Sequence, residues 1–91
     1  MEAAVMLHEE AIPVLKSSLE LKRRTLEFNL RRYRERLSAF ERQYRMRSQE
    51  FAAKFEVGDL GDDAEWFEWQ YVFDAYNETN RQLELLKSIH L

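Results

Sequence analysis

The sequence predicts an all-α fold: an antiparallel hairpin of two long helices joined by a short corner helix, closing into a dimeric bundle. Three observations predict it. The 91 residues include only two glycines and one proline, too few turn formers for the many short connections of a β fold. Apolar residues recur at helical spacing over most of the length, with little strict alternation. A chain this short also closes only a small core, so two long helices alone would leave apolar area in water and call for a second chain.

From Ile12 to Tyr44 the apolar residues follow a heptad. Leu19, Leu26, Leu30, Tyr33, Leu37, Phe40 and Tyr44 hold the seam positions, and Arg23 is the exception. Pro13 suits a first helical turn, where its missing amide proton is not needed. The first long helix is therefore expected over about 13–46, roughly 50 Å at 1.5 Å per residue.

In "MRSQEFAAKFEVG" Ser48 has the chemistry of an N-cap, Phe51 and Phe55 form an i, i+4 pair, and Gly58 suits a left-handed C′ position. A short helix over about 48–57 follows. "GDLGDD" reads as the turn, and Asp62 with Glu65 resembles a capping box at the positive end of a helix dipole. The last helix is expected over about 63–89, with Trp69, Val72, Tyr76, Leu83 and Leu86 on a seam interrupted by Thr79. Folded back antiparallel, it would set Phe40 against Trp69, Tyr33 against Tyr76 and Leu26 against Leu83. No repeat, low-complexity stretch or flexible linker divides the chain, so residues 1–91 read as a single helical domain.

Net charge is only -3, but it is unevenly distributed. Lys16 to Arg47 holds eleven bases and four acids, while Glu50 to Lys87 holds ten acids and three bases, net +7 and -7. The plain expectation is that the two arms lie side by side and neutralise each other. The alternative is that the basic arm meets a nucleic acid or an acidic partner.

Trp69, Val72 and Tyr76 are accounted for as hairpin core. Phe67 and Tyr71 form an i, i+4 pair on another side of the same helix, and Trp66 with Phe73 make a third flank, more than one hairpin can bury. The first helix has a matching surplus in Val14, Leu21 and Phe28, every seven residues away from its seam. Two such stripes predict protein interfaces: a second copy, giving a four-helix bundle through Val14, Leu21 and Phe28, a different protein, or both.

Enzymatic and cofactor chemistry finds no support. There is no cysteine, which removes disulfides, thiolate metal sites and a thiol nucleophile. His8 and His90 lack a third spaced ligand, and the carboxylate pairs Glu65–Glu68 and Asp74–Glu78 lack the Glu-x-x-His partners of di-metal bundles. Ser17, Ser18, Ser38, Ser48 and Ser88 form no serine–histidine nucleophile motif, and Gly58 and Gly61 cannot make a phosphate loop. No catalytic residue, cofactor, metal or small-molecule substrate is expected. "MEAAVMLHEEAIP" is acidic where a signal peptide is basic, and no apolar run approaches the roughly 18 residues of a membrane span. A soluble, cytoplasmic chain without membrane contact is expected, starting at Met1 or at Met6.

For nucleic acid, "LRRYRERLSAFERQYRMR" offers Arg31, Arg32, Arg34, Arg42 and Arg45 interleaved with tyrosines. Against it, the tyrosines lie on the core seam and the sequence pI is about 5.4. This is the alternative reading, beside a purely structural coiled-coil homo-oligomer.

"EEAIPVLKSSLELKRRTLEFNLRRYRERLSAFE" followed by "SQEFAAKFEVGDLGDDAEWFEWQYVFDAY" resembles small helical antitoxins of prokaryotic toxin–antitoxin gene pairs. The resemblance runs from about Leu7 to Leu86 and is most specific in "GDLGDD" and "EWFEWQYVFDAY". It implies a two-protein system in which this chain binds and silences a small ribonuclease-like toxin. The separate DNA-binding module and disordered tail of many antitoxins have no counterpart here. Acidic aromatic helices fit such a task, because carboxylates complement a basic cleft and large aromatic rings anchor the contact. The residues expected to touch the partner are Trp66, Phe67, Tyr71 and Phe73, with Glu65, Glu68 and Asp74 as electrostatic partners.

Overall fold

The computed structural model describes residues 3–91; Met1, weighed above as a start, lies outside them. Three helices follow in order, α1 (Ala11–Tyr44), α2 (Ser48–Glu56) and α3 (Ala64–Lys87). α1 and α3 form the hairpin, with α2 across its turn end, in a body of 55 × 27 × 18 Å. At 1.5 Å per residue α1 is about 51 Å long and α3 about 36 Å, so the start of α1 runs past the end of α3.

Four helix boundaries are set differently from the sequence expectation. α1 begins two residues early, which places Pro13 third in the helix but still within the turn whose amides have no intrahelical acceptor. It ends without glycine, and Arg45 itself takes the left-handed conformation, φ 53°. The Met46 N–H then closes onto Glu41 O at 3.3 Å. Ser48 is not the N-cap expected of it: Arg47 takes that place, and Ser48 is the first helical residue. Asp63, not Asp62, caps α3, its carboxylate accepting from the Glu65 N–H at 3.1 Å, so the Asp62–Glu65 capping box does not form.

Gly58 does what was expected. With φ 78° it follows the last turn of α2, where its N–H donates to Phe55 O and the Asp59 N–H donates to Lys54 O. That pair of bonds is the Schellman arrangement, which needs a left-handed residue and so favours glycine.

The core has two parts. Beneath α2, Leu37, Phe51, Trp69 and Val72 form a cluster in which the last three are fully buried. Phe51 lies 4.0 Å from Trp69 and Phe40 5.3 Å, both rings within 7° of parallel to the indole. Further along, Leu26, Leu30 and Leu83 form a smaller cluster flanked by Tyr76 and Leu86. The expected facings of Phe40 with Trp69 and of Leu26 with Leu83 are thus both present, and Tyr33 and Tyr76 pack on the same core cluster.

Ser48 shows why the corner is ordered. Its hydroxyl accepts from Trp69 Nε1 at 3.0 Å and donates to Glu41 Oε2 at 2.9 Å, while the same carboxylate oxygen accepts from the Ser48 N–H at 2.8 Å. One buried hydroxyl therefore links all three helices, and the buried indole N–H has the acceptor that burial requires. A carboxylate reaching back from α1, not a serine, satisfies the first amide of α2.

Candidate functional site

The two arms do not neutralise each other as the charge pattern suggested. Among the described residues, one ion pair crosses from α1 to α3, Arg36 to Glu68 at 2.5 Å. The others are local: Arg23 bridges Glu20 and Glu27, Arg24 also meets Glu20, Lys54 meets Glu50, Arg81 meets Glu78 and Lys87 meets Glu84. Residues on a helical seam can face a partner helix, but most arginines of α1 lie off that seam. Arg23 holds a seam position but pairs within its own helix, and Arg34 reaches α3 with its guanidinium 5.8 Å above the Tyr76 ring and 3.3 Å from the hydroxyl. The molecule consequently keeps a basic side on α1 and an acidic side on α3.

On α3 the structure divides the four aromatic candidates. Trp66 is half-buried, its indole N–H donating to Leu60 O at 3.0 Å and its ring 4.7 Å from Tyr44. It pins the glycine turn to α3. Phe73 is also half-buried and packs on the Trp69 cluster. Phe67 and Tyr71 remain outside, 55% and 65% exposed.

These two rings lie roughly 160° around α3 from the core seam, at 100° per residue. Phe67 stands edge-on to Phe55 at 5.1 Å and so is held from below by α2. Val57, at the α2 C-cap, is 69% exposed and extends the apolar area on that element. Glu65, Glu68 and Asp74 are all exposed; Asp74, three residues on from Tyr71, shares its side of the helix, whereas Glu65 lies roughly 160° around from Phe67 at 100° per residue. Asp74 accepts from Gln70 at 2.9 Å, and Glu68 holds Arg36. The result is an exposed aromatic pair, its Phe67 ring supported by Phe55, with Asp74 one turn on from Tyr71.

Further along the same face, Arg81 donates two hydrogen bonds to Glu78, with Gln82 adding a third. The Arg81 bonds chiefly, then that of Gln82, hold the Glu78 carboxyl down at about 2. Glu78 therefore stays charged through all but strongly acidic conditions.

On α1, Val14, Leu21 and Phe28 are 67%, 66% and 50% exposed, in line on the outer side. Arg32 lies over the Phe28 ring at 5.7 Å. Arg32 is thereby separated from the other arginine candidates, for Arg31, Arg34 and Arg42 line a different, open groove of about 340 Å³ with Glu35 and Ser38. Arg45 is exposed at the end of the helix.

At the far end of the hairpin, Leu15 and Leu19 line an apolar cavity of about 410 Å³ with residues of both chain termini, including His90. His8 Nδ1 accepts from the Glu10 N–H at 3.2 Å. Among the described residues no three histidine or carboxylate side chains gather where they could hold a metal ion. No helix among them is long and apolar enough to cross a membrane.

Sequence reasoning missed two participants. Phe55 supports Phe67, a contact between elements that spacing on one helix cannot reveal, and Ser48 joins the helices by its side chain. The i, i+4 spacing of Phe51 and Phe55 did signal that α2 has an aromatic face. Compared with known proteins, the chain matches no family model, no curated protein and no solved structure.

Proposed function

We propose that the chain is a non-enzymatic binding protein of the cytoplasm that neutralises a small toxin-like protein by holding it on the outer face of α3. The observation that carries this reading is the exposure of Phe67 and Tyr71 on a helix whose Glu65, Glu68 and Asp74 are exposed as well. Exposed aromatic residues four apart on a rigid helix give large contact area with little side-chain entropy to lose, and they are typical anchors of tight interfaces. The carboxylates select a basic partner and speed its approach. An RNA-binding cleft has that complementary character, and the resemblance of "EWFEWQYVFDAY" to antitoxins favours the same kind of target.

The test is co-purification from the native host with tagged wild-type chain and with a Phe67→Ala, Tyr71→Ala double variant. The reading expects a stoichiometric small basic protein with the wild type, lost from the variant while helicity by circular dichroism is unchanged. A variant that loses helicity would instead assign both rings to folding.

A second reading has one observation in its favour, the groove lined by Arg31, Arg34 and Arg42. Nucleic acid held there would bind with an affinity that falls steeply with salt, because each neutralised phosphate releases counterions. The alanine pair on α3 would leave that binding intact.

A further inference from the structure

The outer side of α1 is a second helical seam. Val14, Leu21 and Phe28 alternate with Ser18 and Thr25 at steps of four and three residues, roughly 140° around the helix from the core seam. The two hydroxyls do not demand water, since Ser18 Oγ donates to Val14 O at 3.0 Å and Thr25 Oγ1 donates to Leu21 O at 3.1 Å. Such a stripe can be desolvated at little cost. The outer side of α3 has the same periodicity, with Phe67 and Tyr71 at one end, Leu85 at the other, and Asp74 and Glu78 between.

Charge selects which stripes pair. Laid on its own copy, the α1 stripe would bring Lys22 and Arg24 of one chain near the same residues of the other, within residues 14–28, of net charge +2. Laid on α3 of a second copy, it meets residues 67–85, of net charge -3. That charge remains available because, among the described residues, a single ion pair crosses the hairpin internally.

We infer that this chain self-associates head to tail, the outer α1 stripe of one copy (Val14, Leu21, Phe28) docking on the outer α3 face (Tyr71, Leu85) of a second copy. The two surfaces differ, so the contact is heterologous and leaves one α1 stripe and one α3 face free at each step. Because the α3 face is also the one assigned above to a partner, the self-associated chain is a resting form from which the partner displaces a second copy. That consequence, unlike the contact itself, rests on the partner-binding reading.

The test needs no partner. One variant carries Leu21→Gln and Phe28→Gln, the other Tyr71→Gln and Leu85→Gln. All four positions are exposed and outside both core clusters, so each variant keeps its helicity. Sedimentation equilibrium of the wild type should give species heavier than the 11.1 kDa chain, weakening as salt is raised. Each variant alone should sediment as a single chain, and an equal mixture should recover a two-chain species, because one intact α1 stripe then meets one intact α3 face.

Three results would overturn the inference: a wild type that stays a single chain at every concentration, a Tyr71, Leu85 variant with wild-type mass, or a mixture that remains single chains. The second of these would assign the contact to α1 against α1.

Discussion

The two ends of the hairpin use the same pair of helices and are built to different standards. At the turn end, α2 closes the groove between α1 and α3, and Phe51, Trp69 and Val72 are completely buried. At the other end Leu26, Leu30 and Leu83 are 5–9% exposed, and the partly buried hydrophobic residues packed on them are Tyr76 and Leu86. A third helix adds cover that two alone do not give, so the side chains beneath α2 lose the last of their contact with water. The difference also bears on the docking face proposed for α3. Where α2 braces α3, Phe55 stands edge-on to the Phe67 ring, and rigid presentation is what such a face would require.

Trp69→Ala should do the most damage. Removing a fully buried indole stacked on Phe40 and Phe51 costs about 3–5 kcal/mol, a large share of the roughly 5–15 kcal/mol that holds a small domain together. Urea unfolding would show the midpoint collapse. Leu83→Ala at the other end should cost about 2–3 kcal/mol, because a smaller side chain is removed from a less tightly covered cluster. Equal losses for the two substitutions would erase the distinction between the ends.

Ser48→Ala sharpens the comparison by leaving the turn-end packing in place and removing one hydroxyl. It strands the buried Trp69 N–H and should cost about 1–3 kcal/mol, measured by the same unfolding curves. Smaller still is the Phe67→Ala, Tyr71→Ala pair, expected to change stability by about 1 kcal/mol or less, since both rings are more than half exposed.

The smallest effect is on pH. Glu78 has its folded-state carboxyl lowered from 4.5 to about 2, first by hydrogen bonding from Arg81. A depressed carboxyl contributes stability above its unfolded value and loses it as pH falls, here between about 4.5 and 2. As an exposed pair it contributes little. Glu78→Gln should flatten the acid limb of stability over that interval and leave neutral stability nearly unchanged.

The hairpin, its register and the corner helix are legible in the spacing of Leu26, Leu37, Phe40, Trp69 and Leu83, because helical periodicity records which side of each helix is buried. The caps are less legible. Asp62 and Asp63 are chemically alike, and which one turns its carboxylate to the helix depends on backbone angles fixed by the glycine turn. Ser48 carries a cap signature but is drawn inward by Trp69, a residue 21 positions away. Charge misleads most: net +7 and net -7 arms suggested mutual neutralisation, whereas Arg36 and Glu68 alone meet across the helices among the described residues. Summed charge counts residues without regard to the side of the helix they occupy.

The site was legible in part. Phe67 and Tyr71 were singled out by falling off the seam, and they are exposed. Trp66 and Phe73 also fall off the seam, yet Trp66 is drawn toward the turn by Leu60 O and Phe73 toward the Trp69 cluster. Residues just beside a seam can be taken into the core by whatever lies across it, and a single-helix pattern does not record that.

The central claim is that Phe67 and Tyr71 form a docking face for a basic protein and contribute little to the fold. The direct measurement is tagged co-purification from the native host at moderate salt, comparing wild type with the alanine pair and recording accompanying masses and the absorbance ratio at 260 and 280 nm. The account expects a stoichiometric small basic protein, free of nucleic acid, that disappears with the alanine pair while the circular dichroism spectrum stays the same. Nucleic acid retained by both chains, with no protein partner, would contradict it and move the function to the arginines of α1.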